Sequence, residues 1–159
     1  MSTAYLLIGG NMGNRSASLQ QATDEINRLC GQVTAVSSIY ETAAWGKTDQ
    51  PSFYNQALVL ETDLEPAMLL TMLLQIEKQM GRERKERMGP RVIDLDIILI
   101  DDLQIHTPEL IVPHPAMAAR RFVLEPLAEI APQVQHPVLH KTIATLLEEC
   151  TDTLDVQKK

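Results

Sequence analysis

The sequence predicts an α+β domain in which two main helices pack on one face of a β-sheet. Of its 159 residues, 45% are hydrophobic and 22% charged, values typical of a globular domain with a buried core. Short apolar runs alternate with two longer segments whose apolar residues recur every three or four positions. Glycines and prolines separate these segments, and no linker or repeat divides them, so we expect one domain over residues 1–159.

The first half of the chain predicts a strand, a helix and two further strands. Residues 4–8 form an apolar run before a glycine pair, and residues 9–14 predict a turn. Residues 15–30 predict a helix, because apolar residues recur at helical spacing and a glycine follows. Residues 33–42 and 53–62 are rich in strand-forming residues.

The second half predicts a helix, a strand and a tail of short elements. Pro66 suits the first turn of a helix over residues 66–80, and the apolar segment 89–100 predicts a strand. Prolines interrupt the remainder, where we expect short helices near residues 125–131 and 142–149. The order β-α-β-β-α-β is the ferredoxin-like pattern, here with a C-terminal extension.

The last of these strands carries two aspartates at alternate positions. Alternate residues of a strand share a face, so Asp94 and Asp96 should lie side by side. The opposite face should carry Ile93, Leu95, Ile97 and Leu99. Two carboxylates about 6–7 Å apart repel by about 2–3 kcal/mol at an effective dielectric near 20, a cost that a bound cation offsets. Since Mg²⁺ is usually held by one or two carboxylates plus substrate phosphates, the pair suggests a magnesium site; two solvated aspartates are the alternative.

A cationic segment directly precedes the aspartates. Residues 82–91 hold five of the fourteen lysines and arginines, and cations beside a carboxylate pair suit a metal-bound polyphosphate. A solvated charged loop is the alternative. Residues 9–14 are not a Walker phosphate loop, because Asn-Arg follows Gly13 where Lys-Ser/Thr is required.

Aromatic residues and one histidine are further candidates for ligand contacts. Trp45 and Phe53 lie within a segment that is polar at both ends, and Phe122 follows two arginines; aromatic faces with a few polar groups suit a flat heterocycle. His114, in a Val-Pro-His-Pro turn, could donate to a phosphate. Taken singly, such residues are more often structural.

Composition excludes several classes of protein. The net charge of −7 argues against a general nucleic-acid binder. Cys30 and Cys150 have no metal or redox spacing and suit inert thiols in a reducing cytosol. No signal-peptide pattern or membrane-spanning run is present. We therefore expect a cytoplasmic protein that contacts neither nucleic acid nor membrane. We also expect a monomer, an expectation that rests on none of these features.

Several ordered segments together resemble the 6-hydroxymethyl-7,8-dihydropterin pyrophosphokinases of folate synthesis. The most specific is Gly-Pro-Arg-Val-Ile-Asp-Leu-Asp-Ile at residues 89–97. The others are Leu-Ile-Gly-Gly-Asn-Met-Gly-Asn at 7–14, Ser-Ser-Ile-Tyr-Glu-Thr at 37–42, Gln-Pro-Ser-Phe-Tyr-Asn at 50–55, Val-Pro-His-Pro at 112–115 and Arg-Arg-Phe-Val-Leu at 120–124. The resemblance covers nearly the whole chain.

The resemblance implies transfer of a pyrophosphoryl group from ATP to the hydroxymethyl of the dihydropterin, with release of AMP. Asp94 and Asp96 would hold two Mg²⁺, while Arg82 and Arg91 neutralise developing charge. ATP would be contacted by Glu77, Arg84, Ile97, His114 and Arg120. The pterin would be contacted by Thr42, Ala43, Ala44, Trp45, Phe53, Asn55 and Phe122, with the two phenylalanines on either side of the ring.

Some positions depart from the family pattern. Ala43-Ala44 replaces a common Pro-Pro, and Phe53 replaces a frequent tyrosine. Leu74 and Ile111 stand where a glutamine and a threonine can occur, and Met88 where a tryptophan is common. Two other readings are another Mg-dependent nucleotidyl- or phosphoryl-transferase and a non-enzymatic ligand-sensing module of the same topology.

Overall fold

The computed structural model describes residues 1–43, 51–81 and 92–159. The first seven elements follow the predicted order β-α-β-β-α-β, with the second predicted strand divided into two. The elements are β1 (Ser2–Gly10), α1 (Arg15–Leu29), β2 (Gln32–Val36), β3 (Tyr40–Thr42), β4 (Phe53–Thr62), α2 (Pro66–Gln79), β5 (Asp94–Ile100), β6 (Ile105–His106), β7 (Ile111–Val112), α3 (Arg121–Ile130), α4 (Ile143–Glu149) and β8 (Val156–Lys158).

The main sheet is antiparallel, with the order β5-β1-β4-β3-β8. Strands β2 and β3 both pair with β4, one after the other along the same direction of the chain, so together they act as one interrupted strand. The central order β5-β1-β4-β2/β3 is that of the predicted ferredoxin-like fold, which is confirmed. A small β6-β7 hairpin lies beside β5.

Helices cover both faces of the sheet. Helices α1 and α2 bury one apolar cluster against it, with Leu19 and Leu73 among the fully buried side chains. Helices α3 and α4 bury a second cluster on the opposite face, which includes Leu7 and Leu124. Helices α1 and α2 are the two main helices, so the prediction that they share a face is confirmed. The C-terminal extension, through α3 and α4, forms the third layer.

Local signals in the sequence set the ends of the first two helices. The side chain of Asn14 caps α1 by accepting from the Ala17 N–H at 3.1 Å. Pro66 opens α2 without losing a backbone hydrogen bond, because the first-turn N–H groups of a helix have no intrahelical acceptor.

The predicted assignment of Leu99 to a face is wrong. The ladder pairs Tyr5 with Leu99 but Leu6 with Ile97, so β5 contains one extra residue, Ile98, at this point. Such a bulge breaks the two-residue alternation of a strand. Leu95 and Ile97 pack with α1 and α2 as expected, whereas Leu99 packs under α3 and α4.

Several boundaries also differ from the predicted ones. Strand β1 continues to Gly10, and α3 begins at Arg121, with Pro126 inside it. The sequence pattern missed the β6-β7 hairpin and β8. Among the described residues, no helix combines the length and apolar character needed to cross a membrane. Both cysteines are free, and burial raises the pKa of Cys30 to about 11, so its thiol is inert as expected.

Candidate active site

Asp94 and Asp96 open β5 on the face of the sheet that carries α3. Asp96 lies opposite Leu7 in the ladder, and Leu7 belongs to the apolar cluster under α3. Residues directly opposite each other in a ladder project to the same face, so both carboxylates project to that side. Both side chains are half-buried. The two aspartates thus lie side by side as predicted, at the start of the strand that follows the cationic segment.

A row of directly paired residues links Asp94 to the predicted pterin contacts. Gly9 pairs with Asp94 on one side and with Asn55 on the other, so these three positions share a face. Two strand spacings separate β5 from β4, about 10 Å. That span suits a small heterocycle on β4 whose substituent reaches toward the carboxylates.

Gly9 is the residue that allows this approach. A Cβ at Gly9 would lie 2.1 Å from Oδ1 of Asn55, so the amide occupies the space that a side chain would fill. The Asn55 amide nitrogen donates to Oγ1 of Thr42 at 3.3 Å, and both residues are buried. The sequence pattern missed the role of Gly9, although its position in a glycine pair at the end of an apolar strand was the available signal.

The two phenylalanines approach this face from different elements. Phe53 opens β4 two residues before Asn55 and so shares its face. Phe122 lies in the first turn of α3 and packs against the second apolar cluster. Both rings are half-buried, as a pair of platforms for a flat ligand requires. Ala43 follows β3 and is exposed.

His114 lies near the carboxylates, and Arg120 lies close enough to His114 to affect its pKa. Burial, and then the charge of Arg120, lower the pKa of His114, while Asp94 acts in the opposite direction. The imidazole is therefore neutral at pH 7. Its Nδ1 accepts from the Ala116 N–H at 3.2 Å, so the proton resides on Nε2, which can donate to an anionic ligand.

A cleft of about 1000 Å³ adjoins the carboxylates on the outer side of β5. It lies between α2, the edge of β5 and the β6-β7 hairpin, and its size suits a nucleotide. Asp96, Ile97 and His114 contribute to its lining, together with Leu74 and Ile111. The hairpin that forms one wall of this cleft was not predicted, because a two-residue strand carries too little pattern.

Glu77 supports the carboxylate strand from α2. Its buried carboxylate accepts the Leu95 N–H at 2.7 Å, which satisfies a backbone donor between the two aspartates. Because β5 is an edge strand among the described strands of the main sheet, none of those strands would otherwise supply a ladder partner for this N–H. Glu77 therefore holds the backbone that carries Asp94 and Asp96.

The structure places Thr42, Phe53, Asn55, Asp94 and Asp96 on one face of the sheet, and Asp96, Ile97 and His114 in the cleft beside β5. Arg82, Arg84, Arg91, Ala44 and Trp45 lie outside the described residues. Within residues 1–43, 51–81 and 92–159, no group of three or more His, Cys, Asp or Glu side chains could by itself hold a metal ion. Two half-buried carboxylates facing one side match a cation whose remaining ligands come from phosphates and water, as is usual for Mg²⁺.

Comparison with known proteins identifies the family of this chain. The family described as 7,8-dihydro-6-hydroxymethylpterin-pyrophosphokinase matches residues 5–132. A 2-amino-4-hydroxy-6-hydroxymethyldihydropteridine pyrophosphokinase of Bacillus subtilis is 48% identical over 133 residues, covering 83% of this chain and 80% of the relative. The enzyme of the same name from Aquifex aeolicus is 38% identical over 151 residues, covering 95% of this chain and 94% of the relative.

A solved structure supports the fold independently. The crystal structure of wild-type Plasmodium falciparum HPPK-DHPS with pteroate superposes with a TM-score of 0.76 at 18% identity. The match covers 93% of this chain and 42% of that one. At this identity the likeness bears on the fold alone.

Proposed function

The chain belongs to the 7,8-dihydro-6-hydroxymethylpterin-pyrophosphokinase family, and from this premise we propose that its active site is the α3 face of the sheet around Asp94, Asp96 and Asn55. The enzyme transfers a pyrophosphoryl group from ATP to the hydroxymethyl group of 6-hydroxymethyl-7,8-dihydropterin in folate synthesis. The observation that carries the assignment of the site is the paired row Asp94–Gly9–Asn55, which aligns an acidic group with a buried amide on one face.

The pterin is held by β3, β4 and α3. Thr42 and Asn55 offer a hydroxyl and an amide in a buried setting, where hydrogen bonds to a heterocycle edge are not lost to water. Phe53 and Phe122 flank the ring. This arrangement directs the hydroxymethyl group toward β5.

ATP occupies the cleft beside β5, with its phosphates at the carboxylates. Ile97 contacts the nucleoside, and Glu77 acts near it by fixing the strand backbone. Nε2 of His114 and the guanidinium of Arg120 bind phosphate oxygens. Arg82, Arg84 and Arg91, by their sequence positions, add positive charge to the same phosphates.

Asp94 and Asp96 are the residues that would hold Mg²⁺, and two ions are expected. Magnesium held there would supply charge neutralisation of the triphosphate and Lewis-acid polarisation of the attacking hydroxyl. The donor chemistry of the pair fits this role, since carboxylate oxygens are among the ligands that Mg²⁺ takes.

The reaction requires positioning more than covalent chemistry from the protein. The hydroxymethyl oxygen bonds to the β-phosphorus of ATP, the bridge to the α-phosphate breaks, AMP leaves and the hydroxyl proton is released. Phosphoryl-type transfers are accelerated mainly by alignment and by stabilisation of charge on the phosphate oxygens. The described residues accordingly include donors and carboxylates, and no nucleophilic triad is needed.

The protein is proposed to act in the cytoplasm as a monomer and to bind neither nucleic acid nor membrane. Its net charge of −7 supports the absence of a nucleic-acid role, because a polyanion would be repelled except at a local cationic site.

AMP release from MgATP tests the proposed function. We expect AMP only when 6-hydroxymethyl-7,8-dihydropterin is present, and none with the 6-methyl analogue, which lacks the accepting hydroxyl. AMP release that does not depend on the pterin would refute the assignment. So would the absence of AMP release when folded protein is given both substrates.

A further inference from the structure

Behind the pterin-binding residues, on the opposite face of β3 and β4, five polar and aromatic side chains form a connected cluster. We call it the back-face cluster; its members are Arg15, Glu41, Ser52, Tyr54 and Lys159. Glu41 pairs directly with Tyr54 in the β3-β4 ladder, so both project to one face. Tyr54 packs against the apolar cluster under α1 and α2, which places the back-face cluster on the α1/α2 face of the sheet, opposite α3.

Arg15 is the centre of this cluster. Its guanidinium donates to the Ser52 carbonyl and to the Ser52 hydroxyl, each at 2.8 Å. The guanidinium carbon lies 3.8 Å from the centroid of the Tyr54 ring, a close cation–π contact. Arg15 therefore fixes two successive parts of the chain, the residue before β4 and the second residue of β4, to the start of α1.

Glu41 connects β3 to the same group. Its carboxylate accepts a short hydrogen bond from Ser52 and lies 3.7 Å from Arg15. Lys159, which follows β8, lies 3.3 Å from the other carboxylate oxygen and 5.4 Å from the Tyr54 ring centroid. The Ser52 bond, followed by the Lys159 and Arg15 charges, lowers the pKa of Glu41, so the carboxylate is ionised at neutral pH.

The members of the back-face cluster alternate along the chain with the proposed pterin contacts. Glu41 immediately precedes Thr42, and Tyr54 lies between Phe53 and Asn55. Because neighbouring strand residues share a backbone but face opposite sides, fixing Glu41 and Tyr54 from behind also fixes Thr42, Phe53 and Asn55 in front.

We propose that the back-face cluster sets the spacing of the pterin-binding residues, and that Arg15 is a positioning residue for the pterin and not for ATP. The inference rests on the proposed function. The ATP cleft is lined by α2, β5 and the β6-β7 hairpin, none of which carries a member of the cluster. Loss of Arg15 should therefore raise the KM for the pterin and leave the KM for ATP nearly unchanged.

Arg15→Gln is the primary test, with Arg28→Gln as its matched control. Arg28 lies on the same helix and pairs with Glu25 at 2.7 Å, but is exposed near the far end of α1. We expect Arg15→Gln to raise the pterin KM about threefold to tenfold, because small misplacements of binding groups are costly, and to leave the ATP KM within about twofold. Arg28→Gln should leave both unchanged, and Arg15→Lys should restore part of the pterin affinity.

Amide hydrogen exchange in the substrate-free protein provides a readout that does not depend on activity. Arg15→Gln should speed exchange in β3 and at the start of β4 by about tenfold, with β5 unchanged, because local contacts control local opening. If Arg15→Gln is recovered unfolded, Ser52→Ala takes its place, with a smaller rise in the pterin KM expected.

The outcomes separate this inference from the proposed function. A wild-type enzyme without pterin-dependent turnover refutes the function, whereas the exchange experiment still tests the cluster. An unchanged pterin KM in a folded Arg15→Gln or Ser52→Ala variant, or an equal rise in both KM values, overturns the positioning role.

Discussion

Gly9→Ala probes the contact on which the geometry of the site depends. Gly9 lies in extended strand backbone, which alanine adopts without strain, so the effect comes from the added methyl group. That methyl would lie 2.1 Å from Oδ1 of Asn55 and 3.0 Å from the Tyr54 carbonyl oxygen. An ordinary contact needs about 3.4 Å, so the amide must move by about 1 Å and lose its bond to Thr42.

The expected cost follows from this displacement. A misplacement of about 1 Å in a binding group can reduce turnover up to about a hundredfold, so we expect kcat/KM for the pterin to fall between about tenfold and a hundredfold. This corresponds to about 1.4–2.7 kcal/mol of lost transition-state binding. The ATP KM should stay within about twofold, since Gly9 does not line the nucleotide cleft.

Steady-state AMP release with either substrate varied measures both effects. Gly13→Ala is the control, because Gly13 has a φ of 65° and no atom of the described residues lies within 4 Å of a Cβ added to it. It should cost about 1–2 kcal/mol of stability through backbone strain and leave the pterin kinetics intact. Wild-type pterin kinetics in folded Gly9→Ala would refute the reasoning that Asn55 must occupy this position.

Three further changes test other parts of the structure. Asp96→Ala should lower kcat more than about a hundredfold at saturating MgATP, because a lost ligand misplaces the metal; near-normal turnover would remove Asp96 from the metal site. Glu77→Leu should lower the free energy of unfolding in urea by about 1–3 kcal/mol, since the buried Leu95 N–H loses its acceptor, and a change below about 0.5 kcal/mol would contradict that role. Burial raises the pKa of Glu129, but hydrogen bonds from Tyr40 and Ser38 outweigh it, and the net pKa lies below 4.5. The stability supplied by this carboxylate is present above pH 4.5 and is lost as the pH falls through the lowered value, so urea titrations of Glu129→Gln should show a weaker acid dependence than wild type.

Regular periodicity accounts for what the sequence predicted well. The strand over Phe53–Thr62 has the predicted bounds, because a Pro-Ser pair precedes an unbroken β-rich run. The start of α2 at Pro66 follows from proline chemistry at the first helical position. The common face of Asp94 and Asp96 follows from the two-residue repeat of a strand.

Tertiary contacts account for what the sequence did not predict. The extra residue Ile98 in β5 depends on how β1 pairs with it, and nothing local marks the bulge. Strand β8 is three residues long and, within the described ranges, pairs with β3 alone, across more than a hundred residues of chain. Pro126 lies inside α3 because neighbouring contacts override its low helix propensity.

In the candidate site, too, some residues are predicted by sequence pattern and others depend on tertiary contacts. Asp94 and Asp96 stand out as charges in an apolar strand, so pattern alone predicts them. The back-face role of Arg15 depends on the approach of α1 to β4 across the sheet, which no spacing along the chain reveals. In the sequence, Gly9 resembles a turn glycine. The strand ladder of the structure shows instead that Asn55 lies against it.

Identification of the phosphorus products by ³¹P NMR tests the central claim most directly. Incubation of the protein with MgATP and 6-hydroxymethyl-7,8-dihydropterin should give AMP and a new diphosphate monoester in equal amounts, because attack at the β-phosphorus transfers both terminal phosphates together. Formation of ADP with a pterin monophosphate, or of AMP with free pyrophosphate and unmodified pterin, would contradict the account.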